Sequence, residues 1–198
     1  MNSRTFSLRR TPSPLAVLMS VALSAVASRA DEKPAPAKPS EIKHTITGLC
    51  CREREDDLRA AAKKMMGVTL LSVDFENSEA TFAYDPATLF PQEKPERFIE
   101  LFDNLLKSAS THTFGVKAPS RLPRDKLTLI EIPVLGLDCK GCCLGTYHSI
   151  YRIEGVERAT ASFKECRVTA LIDPAKTNRA ALEKALKDAG VMLKEPGK

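Results

Sequence analysis

The sequence has few aromatic residues and little excess of one charge. Phe, Tyr and Trp make up 6% of its 198 residues, Trp is absent, and 30 Lys and Arg residues stand against 25 Asp and Glu residues. Four of the basic residues and none of the acidic ones lie within residues 1–30, which leaves 26 against 25 and a net charge of +1 for the rest. Without a basic stripe or many stacking aromatics, the sequence gives no support for a nucleic-acid partner. A phosphate-binding loop, a nucleophile triad and a general-base constellation are also lacking, so we expect a protein that is not an enzyme.

The apolar run near the N-terminus is too short for a permanent membrane span. Its thirteen residues, Leu15–Ala27, reach only about 20 Å as a helix, against a hydrocarbon core of roughly 30 Å. Arg9 and Arg10 precede the run and the small-residue site Ser28-Arg29-Ala30 follows it, which is the layout of a secretory signal peptide over residues 1–30. We therefore expect a protein exported to the periplasm or secreted, with no stable membrane insertion after cleavage; a retained anchor is the alternative.

Two Pro-containing segments divide the remaining chain. Residues 31–40 are rich in Pro, Ala and Lys and predict an extended tether, and residues 119–125 predict a linker. The regions that they delimit, 41–118 and 126–198, align at a constant offset of 88 residues, the distance from Cys51 to Cys139. Both regions share a Gly-Leu pair, a Gly-Val pair and an Asp-Pro-Ala tripeptide at this offset, which predicts one duplicated domain.

Each copy is predicted to follow the order strand, helix, strand, strand, helix, strand. In the second copy we expect a first strand over Leu127–Leu135, a helix over Cys142–Glu154, two strands within Thr160–Ala170, a helix capped by Asn178 and a closing strand over Val191–Leu193. The first copy repeats the plan, with core-facing helix residues Leu58, Ala62, Met65, Phe98, Leu101, Phe102 and Leu105. The predicted fold class is α+β: two tandem ferredoxin-like βαββαβ sandwiches.

The most informative motif is the pair Cys139 and Cys142, on a Gly-flanked loop that runs into the predicted helix of the second copy. Two thiols separated by two residues can turn both sulfurs toward one point. Thiolates select Cu(I), Hg(II) or Zn(II) over hard cations, and a helix N-terminus stabilises the thiolate. The spacing therefore predicts a soft-metal site.

At these residues the chain resembles the heavy-metal-associated domain family, whose members carry a Gly-Met-x-Cys-x-x-Cys loop on a βαββαβ fold. The resemblance covers residues 126–194 and implies that Cys139 and Cys142 are the metal ligands, with Cu(I) favoured and Hg(II) or Zn(II) as alternatives. It further implies an accessory or chaperone role, with a metal-transporting membrane protein as a partner. Leu137 stands where the family usually has Met, a swap that conserves volume.

Two other functions use the same residues. A thiol–disulfide redox protein would use the Cys139–Cys142 pair, and an interaction module would use both folds without a metal. A disulfide that is merely structural and a vestigial site are further alternatives.

The other cysteines are less clear from sequence. We expect Cys143 to be a buried core residue rather than a third ligand, and a third-ligand role for Cys166 is the less favoured reading. His148 is expected to be solvated.

In the first copy Arg54 occupies the position of Cys142, which removes a ligand and predicts a degenerate metal site with a structural or partner-contacting role. The adjacent thiols Cys50 and Cys51 could still bind a metal or form a vicinal disulfide.

Overall fold

The structure, a computed structural model, describes residues 39–120 and 122–194. The predicted signal peptide and most of the predicted tether lie outside these residues. Among the helices of the described ranges, none combines the length and the apolar character that crossing a membrane requires.

The first copy contains four strands and three helices. Their bounds are β1 Ser40–Thr47, α1 Glu55–Ala62, β2 Thr69–Asp74, β3 Glu79–Tyr84, α2 Pro86–Leu89, α3 Phe98–Ala109 and β4 Gly115–Lys117. Short 3-10 turns lead into α1 at Arg52–Arg54 and into α3 at Pro95–Arg97. The four strands form one antiparallel sheet in the order β2-β3-β1-β4.

The second copy repeats this arrangement. Its elements are β5 Thr128–Leu135, α4 Lys140–Tyr151, β6 Val156–Ser162, β7 Arg167–Ile172, α5 Arg179–Asp188 and β8 Met192–Leu193, and its sheet has the order β6-β7-β5-β8. Both sheets lie in one compact unit of the chain. The predicted βαββαβ order is therefore confirmed in both copies.

Local sequence signals explain most element boundaries. The Asn178 side chain accepts a hydrogen bond from the Ala181 amide at 3.1 Å and caps α5, as predicted. The helix α4 begins at Lys140, two residues before its predicted start, because Cys139 rather than a later residue serves as its N-cap. It ends at Tyr151, three residues before its predicted end.

A glycine at the first strand-to-helix turn allows a close backbone approach. Gly48 has a φ of +81°, and a Cβ at this position would lie 1.9 Å from the Thr113 carbonyl oxygen. Its equivalent Gly136 has a φ of +76°. In both copies the loop between the first strand and the first helix therefore begins with a left-handed residue, a conformation that favours glycine.

Each sheet packs its helices over a separate hydrophobic core. The first core is rich in aromatic rings, and His44 lies within it, stacked on Phe102 with ring centroids 4.4 Å apart. The His44 Nε2 atom lies 2.9 Å from the Tyr84 hydroxyl. The second core is mainly aliphatic, but it also includes Cys50 and Cys51 from the first copy. The loop of one copy thus packs into the core of the other.

Candidate metal centre

The two thiols of the second copy meet at the N-terminus of α4. Cys139 is the N-cap residue, in an extended conformation with φ −150° and ψ 161°. Its sulfur accepts a hydrogen bond from the Cys142 amide at 3.1 Å. The predicted ligand Cys142 lies one turn into the same helix, so the capping interaction itself brings the two predicted ligands together.

A carboxylate joins this pair. The ligand atoms of Asp138, Cys139 and Cys142 all lie within 4.8 Å of one another. Among the described residues, this is the one set of three or more Cys, His, Asp or Glu side chains with that spacing. Asp138 and Cys139 are exposed and Cys142 is half-buried, so the group is open to solvent.

The hydrogen bonds of the group give the two thiols different acidities. Hydrogen bonds from the Cys142 thiol and amide lower the pKa of Cys139. The pKa of Cys142 is raised to about 11, first by its hydrogen bond to Cys139 and then by the one to Asp138. The Cys142 thiol donates to Asp138 Oδ1 at 3.0 Å. Cys139 is therefore the thiol that ionises first and offers the first thiolate to an incoming ion.

Sequence reasoning missed Asp138. The only signal available was its position directly before Cys139 within the loop, and an exposed acidic residue at such a position is common without any role. Its hydrogen bond to Cys142 contributes, after that of Cys139, to keeping the second thiol in its protonated state.

The remaining sequence candidates occupy different environments. Cys143 is fully buried, as predicted. Cys166 is exposed at the β6–β7 hairpin with a φ of +48°, its thiol 3.5 Å from the Phe163 carbonyl oxygen, and it is not part of the Asp138 group. His148 is half-buried rather than solvated, and burial lowers its pKa.

The degenerate loop of the first copy contacts the loop that carries the thiol pair. Arg54 Nη2 donates to the Lys140 carbonyl oxygen at 3.2 Å, and Arg54 Nη1 lies 3.5 Å from Asp57 Oδ2. The other oxygen of Asp57 lies 3.0 Å from Lys140 Nζ. Both the main chain and the side chain of the first residue of α4 are thus held by the first copy.

Two further hydrogen bonds connect the same regions. The Gly48 amide donates to the Tyr147 hydroxyl at 3.0 Å. The Ala161 amide of β6 donates to the Cys50 carbonyl oxygen at 2.7 Å. These bonds fix the main chain of the degenerate loop against α4 and β6.

The chain is similar to two kinds of curated protein named for metal transport. No family model matches the chain. The mercuric transport protein periplasmic component of Salmonella typhi is 34% identical over 61 residues, which cover 31% of this chain and 67% of that protein. The human Copper-transporting ATPase 2 is 19% identical over 177 residues, which cover 76% of this chain but only 12% of the ATPase.

The chain also aligns over part of its length with a solved structure. Oxidized MerP from Ralstonia metallidurans CH34 aligns with 36% of this chain and 99% of its own length, at 27% identity and a TM-score of 0.33.

Proposed function

Because the chain belongs to the heavy-metal-associated domain family, we propose that it is an exported soft-metal-binding protein that holds Cu(I) or a similar ion between Cys139 and Cys142. The observation that carries this proposal is the convergence of two thiols at an exposed helix N-terminus. A helix N-terminus favours the thiolate that a soft ion requires. Binding of the ion releases the proton of each thiol to solvent.

The exposure of the thiol pair favours a protein that passes its metal on. Cys139 is exposed and Cys142 is half-buried, so the thiols of an acceptor protein can reach an ion held between them. A role as a metal chaperone, scavenger or transport accessory follows, with a metal-transporting membrane protein as acceptor. The similarity to the human Copper-transporting ATPase 2 supports such a partner.

The donor atoms favour a soft ion. Two sulfurs suit Cu(I), Hg(II) and Zn(II). Structural zinc takes four ligands, whereas two thiolates alone satisfy Cu(I) or Hg(II), and of these two ions we favour Cu(I). Asp138 could add one oxygen donor, which would still leave a Zn(II) ion short of four protein ligands.

Export is supported by the N-terminal sequence and by one relative. Residues 1–30 have the charge and apolar layout of a signal peptide. The relative from Salmonella typhi is named as a periplasmic component. N-terminal sequencing of the protein recovered from its native compartment should begin near Asp31, and an intact Met1 would contradict signal cleavage.

A titration tests metal binding directly. Reduced protein is titrated with Cu(I) against a competing chelator, alongside Cys139→Ser and Cys142→Ser. The wild type should hold at least one Cu(I) equivalent that each variant loses, while Cys166→Ser, at the β6–β7 hairpin, should bind like the wild type. Equal, weak competition by the wild type and both ligand variants would exclude the proposed site.

A thiol–disulfide redox function is the second candidate, favoured by one observation. One thiol with a lowered pKa beside one with a raised pKa provides an attacking thiolate and a protonated partner. A reduction potential near that of known thiol oxidants, together with turnover of a disulfide substrate, would favour this function over metal binding.

A further inference from the structure

Three thiols that the proposed function does not use lie together in the protein interior. Cys50 and Cys51 of the first copy and Cys143 of the second are all free, with exposed fractions of 0%, 1% and 0%. They belong to one core cluster, although they come from different copies. The thiols of Cys50 and Cys51 are hydrogen-bonded to each other.

The loop that carries Cys51 keeps the backbone geometry of the exposed metal loop. Cys51 precedes the first helical turn of its copy with φ −145° and ψ 157°, against −150° and 161° for Cys139. At the offset of 88 residues Cys50 corresponds to Asp138, and Arg54 to Cys142. The first copy therefore retains one thiol in its original position and lacks the second.

The second copy supplies a thiol to the core that contains Cys51. Cys143 directly follows the proposed ligand Cys142, and its side chain turns into the core where Cys51 is buried. The Arg54 guanidinium is not an unpaired positive charge that would repel a metal cation from these thiols, because it is held by the Lys140 carbonyl oxygen and Asp57.

From this arrangement we propose a second, buried soft-metal site shared between the two copies, with Cys51 and Cys143 as ligands and Cys50 as an adjacent third thiol. The donors are sulfurs, which select Cu(I) or a similar soft ion. The carboxylate of Glu53, two residues after Cys51, forms an ion pair with Lys164 at 2.8 Å, and we do not include it among the proposed ligands. Two thiolates and one Cu(I) carry a net charge of −1. The adjacent group of Arg54, Asp57 and Lys140 carries +1, because two cations share one carboxylate, and it offsets that charge.

The buried thiols are not yet arranged around an ion. Their three sulfurs do not all come within 4.8 Å of one another, since the Asp138 group is the one set of described residues with that spacing. In the proposed site the sulfurs converge by rotation about χ1 of Cys51, which precedes the first helical turn of its copy and lies outside any helix.

The double variant Cys139→Ser/Cys142→Ser tests this site separately from the exposed one. Serine is a strong N-cap residue, so the substitution at Cys139 preserves the start of α4. Native mass spectrometry of reduced protein with added Cu(I) and a competing chelator should find two ions on the wild type and one on the double variant. A double variant that binds none, with a wild type that binds one, would overturn the buried site and leave the proposed function intact. A wild type that binds none would overturn both.

Removal of Cys143 should then abolish the remaining site. The triple variant with Cys143→Ala should bind no Cu(I), whereas a matched triple variant with Cys166→Ser should still bind one. If both triple variants retain one ion, the metal lies elsewhere and the shared site is wrong.

A spectroscopic measurement avoids any effect of Cys143→Ala on folding. Copper X-ray absorption of the Cu(I)-loaded double variant should give sulfur neighbours only. Nitrogen or oxygen neighbours in the first coordination shell would contradict the three thiols as ligands.

Discussion

The two copies hold equivalent cysteines in opposite environments. Cys139 is exposed at the start of α4, whereas Cys51, in nearly the same backbone conformation, is 1% exposed. The difference arises from packing between the copies, because the Cys50–Cys51 loop lies within the core of the second copy. The same local backbone conformation is therefore compatible with a buried and with an exposed thiol. The packing of the other copy over the loop determines whether the thiol is accessible to solvent.

The largest effect should come from making the exposed loop resemble the buried one. The substitution Cys142→Arg removes one of the two thiolates and places a cation beside the other. Loss of an outer-shell partner typically lowers metal affinity about 10–100-fold, and loss of a ligand should exceed that. Competition with a Cu(I) chelator measures the affinity of the exposed site. An affinity within tenfold of the wild type would show that Cys142 is not a ligand there.

Substitution of Arg54 should weaken the contact between the first copy and α4. Arg54→Met removes the hydrogen bond to the Lys140 carbonyl oxygen and leaves Asp57 with Lys140 as its ionic partner. We expect the free energy of unfolding to fall by about 1.5–3 kcal/mol, the usual range for a hydrogen bond to a charged group. Urea denaturation measures it. The control is Arg52→Met, because Arg52 pairs with Glu76 at the surface and should change stability by no more than about 1 kcal/mol. Equal effects of the two substitutions would contradict a special role for Arg54.

The two cores should differ in their response to acid. Burial lowers the pKa of His44 from 6.5 to about 4, while the equivalent position in the second copy is the buried aliphatic Ile132. Between pH 6.5 and 4 the unfolded chain binds a proton at His44 that the folded protein rejects. The stabilisation from neutral His44 is thus complete above pH 6.5 and is lost as the pH falls toward 4.

His44→Ile should therefore reduce the loss of thermal stability between pH 7 and pH 4.5, as measured by melting temperatures across that range. Substitution of the exposed His112 by Gln serves as the control. Identical pH profiles for the wild type and His44→Ile would show that His44 does not contribute to acid sensitivity.

The smallest effect should come from Asp138. The hydrogen bond to Cys139 is the larger cause of the raised pKa of Cys142, and the Asp138 carboxylate, which accepts the Cys142 S–H hydrogen bond, is the second. With Cys139 replaced, Asp138→Asn should therefore lower the pKa of Cys142 further, toward that of an ordinary thiol. The pH dependence of Cys142 alkylation, followed by mass spectrometry in a Cys139→Ser background, measures the change. An unchanged or higher pKa would mean that the Asp138 contact is not made in solution.

The sequence predicted those features that depend on local pattern. Asn178 before an apolar stripe predicted the start of α5. Leu58, Ala62 and Met65 are buried, as predicted, although α1 ends at Ala62 and Met65 lies beyond the helix. The order of strands and helices followed from the same periodicities. Cys143 was also correctly predicted to be buried: it lies on the inner face of α4, one residue after the half-buried Cys142.

Features that depend on contacts between the copies were not predictable. Arg54 was expected only to remove a metal ligand from the first copy. Its side chain is in fact buried and donates a hydrogen bond to the Lys140 carbonyl oxygen. His148 was expected in solvent but is half-buried. Neither feature appears as a periodic pattern in the sequence. The Arg54 contact depends on a residue more than 80 positions away along the chain. The burial of His148 depends on how the whole helix α4 packs.

The hydrogen bond from the Gly48 amide to the Tyr147 hydroxyl has a consequence for how the duplicated chain can change over evolutionary time. Because a side chain of the second copy binds a loop of the first, the effect of a substitution at either position depends on the residue at the other. A substitution at Tyr147 that an isolated domain would tolerate leaves the Gly48 amide without this partner, so its effect depends on the sequence of the other copy. Such epistasis favours keeping the two copies together in one gene, even though the first copy lacks the thiol equivalent to Cys142.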